Sequence, residues 1–252
     1  MIFFKKFSFK KVINYMRLIF VIFLAATNFL TVTQVFADKT PQKLAKYEIG
    51  TGAKYIMTLD KEPSEVTISF VSQTANTLVI EIFIQSLSDS SISEIKMWQQ
   101  FHLQLDGGKL KITKGIIKIP QIANPQILPS DYLQGFDGVQ MKSFFIGSDG
   151  EMNGKKIGVE TIKSGGQSYK STHYRHYENN QTLDFWISDK ANPIGLVKMD
   201  SHGGKSGMNY TLQLSGKVSG VKAQINAAEA ESMNDFMKSF LPLLGPALNF
   251  MR

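Results

Sequence analysis

The chain has 252 residues, with 28 basic against 21 acidic side chains and no cysteine. Without cysteine there is no disulfide framework and no thiolate zinc site, so the fold must be held by its core. Five of the basic residues stand at the amino end without an acid; the remaining 23 are dispersed among 21 acids, where a nucleic-acid binder needs a clustered basic face, so no nucleic-acid partner is expected.

The amino end reads as an export signal. Lys5, Lys6, Lys10, Lys11 and Arg17 precede the apolar run Leu18 to Ala26, and small residues end at Val35-Phe36-Ala37 before Asp38. That order predicts a signal peptide over residues 1–37, with translation starting at Met1 or Met16. The alternative, a membrane anchor over Phe20 to Leu30, needs about 20 apolar residues, and the run from Leu18 is broken at Thr27. The expected location is periplasmic or extracellular. Lacking the cysteine that carries a bacterial lipid anchor, the protein is expected to be released rather than tethered.

Residues 38–252 are expected to form a single β-rich domain, long enough for one buried core. Tyr47 to Leu59 alternates imperfectly, and Gly50 and Gly52 suggest a bulge or close backbone approach. Val66, Ile68 and Phe70 alternate with Thr67 and Ser69, and Leu78 to Ile84 is apolar enough for a strand covered on both faces. Ser91 to Trp98 is predicted as a short helix with Ile92, Ile95 and Trp98 on one side. Gln100 to Leu105 and Lys109 to Ile119 flank Asp106-Gly107-Gly108, which predicts a hairpin.

Pro120 to Val139 holds three prolines and two glycines among apolar residues, so it is a loop or short helix and not sheet. Such a segment docks on its own core or closes a binding site. Strands resume at Met141 to Ile146 and Lys155 to Ile162, with Gly147 to Gly154 as their turn and Gly165-Gly166 as the next. Tyr174 to Glu178 and Leu183 to Ile187 flank an Asn179-Asn180-Gln181 turn, and Met208 to Val218 alternates, with Val221 to Ile225 extending it. The tail, 227–252, is expected to be helical, its apolar side made by Met233, Phe236, Met237, Phe240 and Leu241 before Pro242. It either packs over the sheet or enters a membrane surface. The fold class is therefore mainly β: a single curved antiparallel sheet, a half-barrel or open barrel, with a few short helices and an apolar C-terminal helix.

Chemical motifs are sparse. His173 and His176 fall on opposite faces of a strand, and only His102 and His202 remain, so no metal site is expected. There is no G-x-S-x-G elbow. Asp200-Ser201-His202 are adjacent in an extended chain and cannot converge as a triad. "GGKS" at 203–206 lacks the first glycine of a phosphate loop, since position 199 is methionine. No catalytic residue and no cofactor is expected.

Phe185-Trp186-Ile187-Ser188-Asp189, then Pro193 and Gly195-Leu196-Val197-Lys198, resembles a strand–loop–strand signature of uncharacterised exported bacterial β proteins similar in organisation to the lipoprotein-carrier (Lol-type) half-barrels. The resemblance implies a curved sheet covered by short helices over an apolar cavity for acyl chains. The functional arginine of the carriers has no counterpart placed on this chain.

Two readings stay open, with a hydrolase third. One is a soluble periplasmic carrier or binding protein for an apolar or amphipathic ligand, a lipid or acyl chain. The other is a non-catalytic envelope interaction protein whose core is filled by its own side chains. For a cavity, the expected lining is Trp98, Phe101, Trp186, Tyr210 and Phe236, residues equally at home as plain core.

Overall fold

A computed structural model describes residues 44, 46–59, 61–87, 96–106, 109–120, 122–130, 133, 155–178, 181–203 and 209–233. The signal segment, the expected strand Met141 to Ile146 with its turn, and the tail beyond Met233 lie outside them.

Twelve strands among these residues form one open sheet. They are β1 (Gly52–Leu59), β2 (Glu62–Gln73), β3 (Thr77–Ser86), β4 (Lys96–Asp106), β5 (Lys109–Lys118), β6 (Gln126–Ile127), β7 (Lys155–Ser164), β8 (Gln167–Glu178), β9 (Gln181–Ile187), β10 (Leu196–Gly203), β11 (Tyr210–Val218) and β12 (Glu231–Ser232). Their spatial order is β12-β6-β5-β4-β3-β2-β1-β11-β10-β9-β8-β7. Two meanders, β1 to β6 and β7 to β11, arise from antiparallel pairing of successive strands, and they join where β1 pairs antiparallel with β11. Only β12 runs parallel to its neighbour, β6.

The period-two pattern fixes the register, because a slip of one residue would turn every core side chain to the other face. Ile68 sits opposite Ile82, Ile80 opposite Phe101, and Met57 opposite Leu212, so one face is apolar from β4 across to β11. Close approach explains Gly52: a Cβ there would lie 2.1 Å from the Ile68 carbonyl oxygen.

Four expectations are corrected. Of the expected helix Ser91 to Trp98, residues 91–95 lie outside the described residues, and Lys96 to Trp98 are strand, because in-register pairing of Met97 with Ile84 and Phe101 with Ile80 outweighs the helical spacing that ends at Trp98. Gln126 and Ile127 join the sheet despite the surrounding prolines, which flank the pair without occupying it. Val221 to Ile225 does not extend β11: Gly220 turns the chain at φ +68°, the Val221 amide donates to the Gly50 carbonyl, and the Gln224 and Ile225 amides go to the Glu81 side chain. Residues 227–233 are turn and short strand, not helix. Asn226 starts them, its Oδ1 accepting from the Ala228 amide, and this local bond beats the helix-forming composition. The other described residues between Pro120 and Leu133 are irregular, apart from Ser130 and Leu133, which are helical.

One end of the sheet rolls on itself. Although β8, β9 and β10 lie between β7 and β11, Gln213 Nε2 donates to the Lys163 carbonyl at 3.0 Å and Ser164 Oγ donates to the Leu214 carbonyl. Gly165 completes the closure, at φ +54° and with room for a Cβ denied by the Ser215 carbonyl 2.7 Å away.

Candidate binding face

Among the described residues, the apolar face carries the largest of the fully buried side chains, including Tyr55, Phe70, Phe101, Phe185 and Tyr210. Burying one such side chain contributes about 1.5–3 kcal/mol, so this face dominates stability. Tyr47 stacks on Phe70 with ring centroids 4.0 Å apart. The Tyr55 hydroxyl donates to the Leu196 carbonyl at 3.3 Å. Burial, with Tyr169 nearby, pushes that phenol far above its ordinary range.

At β5 the face has a notch. Gly115 stands opposite Phe101, and over its missing side chain lie Leu128 Cδ1 and Leu133 Cδ2, which a Cβ would approach to 2.8 and 2.9 Å. Both leucines are buried, and the Leu128 amide donates to the Gly115 carbonyl at 2.9 Å. The Pro-rich segment thus docks on the sheet through two side chains set into a glycine notch. Irregular backbone, not a second sheet, closes the face here.

The opposite face has two polar constructions. On β3, Glu81 is only 2% exposed yet ionisable, and it holds residues 221–225 across the sheet. Its carboxylate accepts from the Gln224 amide at 2.9 Å, the Ile225 amide at 3.0 Å and Gln100 Nε2 at 3.3 Å. Lys118 and Lys114 extend the strap by donating to the carbonyls of Gln224 and Ala227. His102, hydrogen-bonded to Gln100 at 2.9 Å, has its imidazole pushed down by burial and by Lys114.

The second construction lies on the face that the rolled end folds over. Asp184 Oδ1 accepts from His173 Nε2 at 2.6 Å and from Arg175 Nε at 2.8 Å. Burial raises this carboxyl, but the bonds from Arg175 and His173 outweigh it and hold the group below the usual carboxylate range. His173 Nδ1 meets Glu160 Oε1 at 2.9 Å, and Trp186 Nε1 donates to the same oxygen at 2.8 Å. The Trp186 ring stacks on His173 at 4.4 Å, with Lys198 Nζ 4.6 Å from its centroid. Both His173 nitrogens are taken by carboxylates, so neither is placed to draw a proton from a serine. What the arrangement does is tie β7, β8, β9 and β10 together.

The expected lining residues separate. Phe101 and Tyr210 share the apolar face, both essentially fully buried. Trp98 and Trp186 point to the other face: Trp98 beside Phe83 at 5.1 Å with Lys118 above it, Trp186 inside the ion network. Phe236 lies outside the described residues. Sequence reasoning passed over Glu81, Gly115, Arg175 and Asp184. For Glu81 the available signal was a lone acid inside an apolar run.

Comparison with known proteins gives fold-level likeness only. No family model matches the chain, and no curated protein does. Among solved structures, the Pseudomonas aeruginosa MucA/MucB complex aligns over 77% of this chain and 59% of that one, with 13% identity and a TM-score of 0.32. A putative outer membrane lipoprotein-sorting protein domain from Vibrio parahaemolyticus aligns over 77% and 91%, with 9% identity and a TM-score of 0.33. The hypothetical protein CT021 from Chlamydia trachomatis aligns over 71% and 93%, with 10% identity and a TM-score of 0.36. The chain spans less than two thirds of the matched MucA/MucB chain. The lipoprotein-sorting likeness is present and weak, and none of these structures assigns a ligand or partner to this chain.

Proposed function

We propose that the protein is an exported, non-catalytic binding protein whose apolar sheet face takes an apolar or amphipathic ligand, a lipid or an acyl chain. The observation that supports this most is the notch at Gly115. There the face is closed by Leu128 and Leu133 on irregular backbone, which an acyl chain can replace with equivalent apolar contact. The basic, apolar and small-residue order of residues 1–37 supports export. Phe101 and Tyr210 on the apolar face, with Phe236, remain the proposed contacts; Trp98 and Trp186 are proposed only for a ligand reaching the opposite face. The lipid of a membrane surface is a further partner proposed for the tail.

A second reading has its own observation. Tyr55, Phe70, Phe101, Phe185 and Tyr210 are already buried without a ligand, as in a sheet filled by its own side chains. That describes an envelope interaction protein. Native mass spectrometry of protein purified from the envelope fraction, followed by organic extraction, separates the two. A released lipid or fatty acid supports the carrier; a clean apo mass with no uptake of added lipid supports the interaction protein.

A further inference from the structure

Two consecutive glutamines of β4 face opposite ways, and only one of them is satisfied. Gln100 lies on the face crossed by residues 221–225. Its Nε2 donates to Glu81 at 3.3 Å and to the Ile225 carbonyl at 3.2 Å, and its Oε1 meets His102 Nε2 at 2.9 Å. Gln99 points into the apolar face and is 0% exposed. Its Nε2 reaches Met97 Sδ at 4.0 Å, and among the described residues no donor reaches its Oε1. A thioether is a weak acceptor, so this buried amide lacks a strong partner at either end.

Packing does not account for a glutamine here. Register surrounds it with apolar side chains: Ile82 of β3 and Ile117 of β5 stand opposite, and Met97 and Phe101 lie before and after it on the same face. All four are buried in the core. A buried acceptor without a donor opposes folding, and methionine would fill the same space without that cost. What Gln99 adjoins is the notch. Phe101, two residues and roughly 7 Å along the strand, stands opposite Gly115, over which Leu128 and Leu133 lie.

We propose that Gln99 is the head-group contact of the apolar face, selecting a fatty acid held as the neutral carboxylic acid with its chain over Gly115 in place of Leu128 and Leu133. This rests on the carrier reading above and adds to it which ligand head is preferred. A protonated carboxyl presents an O–H to Oε1 and a carbonyl oxygen to Nε2 side by side, so one group satisfies both ends of the amide. An ester supplies an acceptor alone and leaves Oε1 unpaired. An ionised carboxylate does the same, and no lysine or arginine stands among the register neighbours of Gln99 to offset its charge.

The test compares radiolabelled lauric acid and methyl laurate by equilibrium dialysis against the full protein, parent and Gln99→Met, at one mildly acidic pH so that the acid ionises equally in both. Saturable binding of both probes to the parent is expected. In Gln99→Met, lauric acid should bind about tenfold more weakly, the loss of two hydrogen bonds, while methyl laurate binds equally or more tightly. The ligand-free variant should melt no lower than the parent, because the amide has no strong partner to lose. Binding of both probes with no change in Gln99→Met, or equal weakening of the two, overturns the head-group assignment and leaves the carrier reading standing. No saturable binding of either probe to the parent removes both. A melting temperature several degrees lower in the ligand-free variant also overturns the assignment, since it gives Gln99 a partner within the folded protein.

Discussion

Replacing Gly115 by alanine and then by valine sets two physical effects against each other. In a strand, β-propensity favours valine over alanine over glycine, by up to ~1 kcal/mol across such a series. The notch reverses this order. A Cβ at 115 meets Leu128 Cδ1 at 2.8 Å and Leu133 Cδ2 at 2.9 Å, so both leucines must move. Those atoms are the ends of flexible side chains, so alanine should cost at the low end of overpacking, about 1 kcal/mol. Valine adds two further carbons in the same space and should cost about 3 kcal/mol, near the value of unseating one leucine altogether. For a chain of this length that is a fall in melting temperature of roughly 2–4 °C and 6–12 °C respectively. Chemical denaturation gives the free energies, and limited proteolysis within 120–133 should accelerate in the same order. If Gly115→Val is as stable as the parent, the two leucines do not sit in the notch and the closure of the apolar face described above is wrong.

Glu81→Gln keeps the shape but leaves one acceptor oxygen where a carboxylate serves three donors, and should cost about 2–3 kcal/mol. Hydrogen exchange at the Gln224 and Ile225 amides should rise; unchanged protection would show that the strap is held elsewhere. Asp184→Asn should cost about 1–3 kcal/mol at neutral pH. Because the folded carboxyl is lowered, its contribution is complete above the unfolded value of about 4 and is lost as pH falls through the folded value. The stability gap between parent and Asp184→Asn should therefore narrow below about pH 4; a gap independent of pH contradicts the ion pairing. His102 is also lowered, so the neutral ring is the folded form and its contribution fades as pH falls below the ordinary imidazole range. An imidazole NMR titration should place its midpoint below 6.5, and a midpoint above that would contradict the cause given.

The sheet was legible because alternation needs only nearest neighbours. Val66, Ile68 and Phe70, or Tyr210, Leu212 and Leu214, announce one buried face whatever lies above it. Long-range partners were not legible. Residues 227–233 have helical composition, but Asn226 turns them and pairing of Glu231 with Gln126 draws them into the sheet. The ion network needed the hairpin register. With the turn read as Asn179-Asn180-Gln181, Arg175 and Asp184 have no fixed relation. The actual register, Glu178 against Gln181, puts Arg175 opposite Asp184 and His173 opposite Trp186. Glu81 was visible as the single acid between Leu78 and Ile84, and an acid in a strand covered on both faces demands donors from elsewhere in the chain. Which donors those are depends on the strap, more than a hundred residues later, and no local pattern contains that.

The most direct test of the binding reading is photo-crosslinking with a diazirine-bearing fatty acid, followed by peptide mapping. A carrier predicts saturable labelling concentrated on peptides of the apolar face around Phe101, Gly115, Leu128 and Leu133, competed by unlabelled fatty acid and altered by Gly115→Val. Labelling that is unsaturable, or confined to the ion-network face around Trp186, would contradict it.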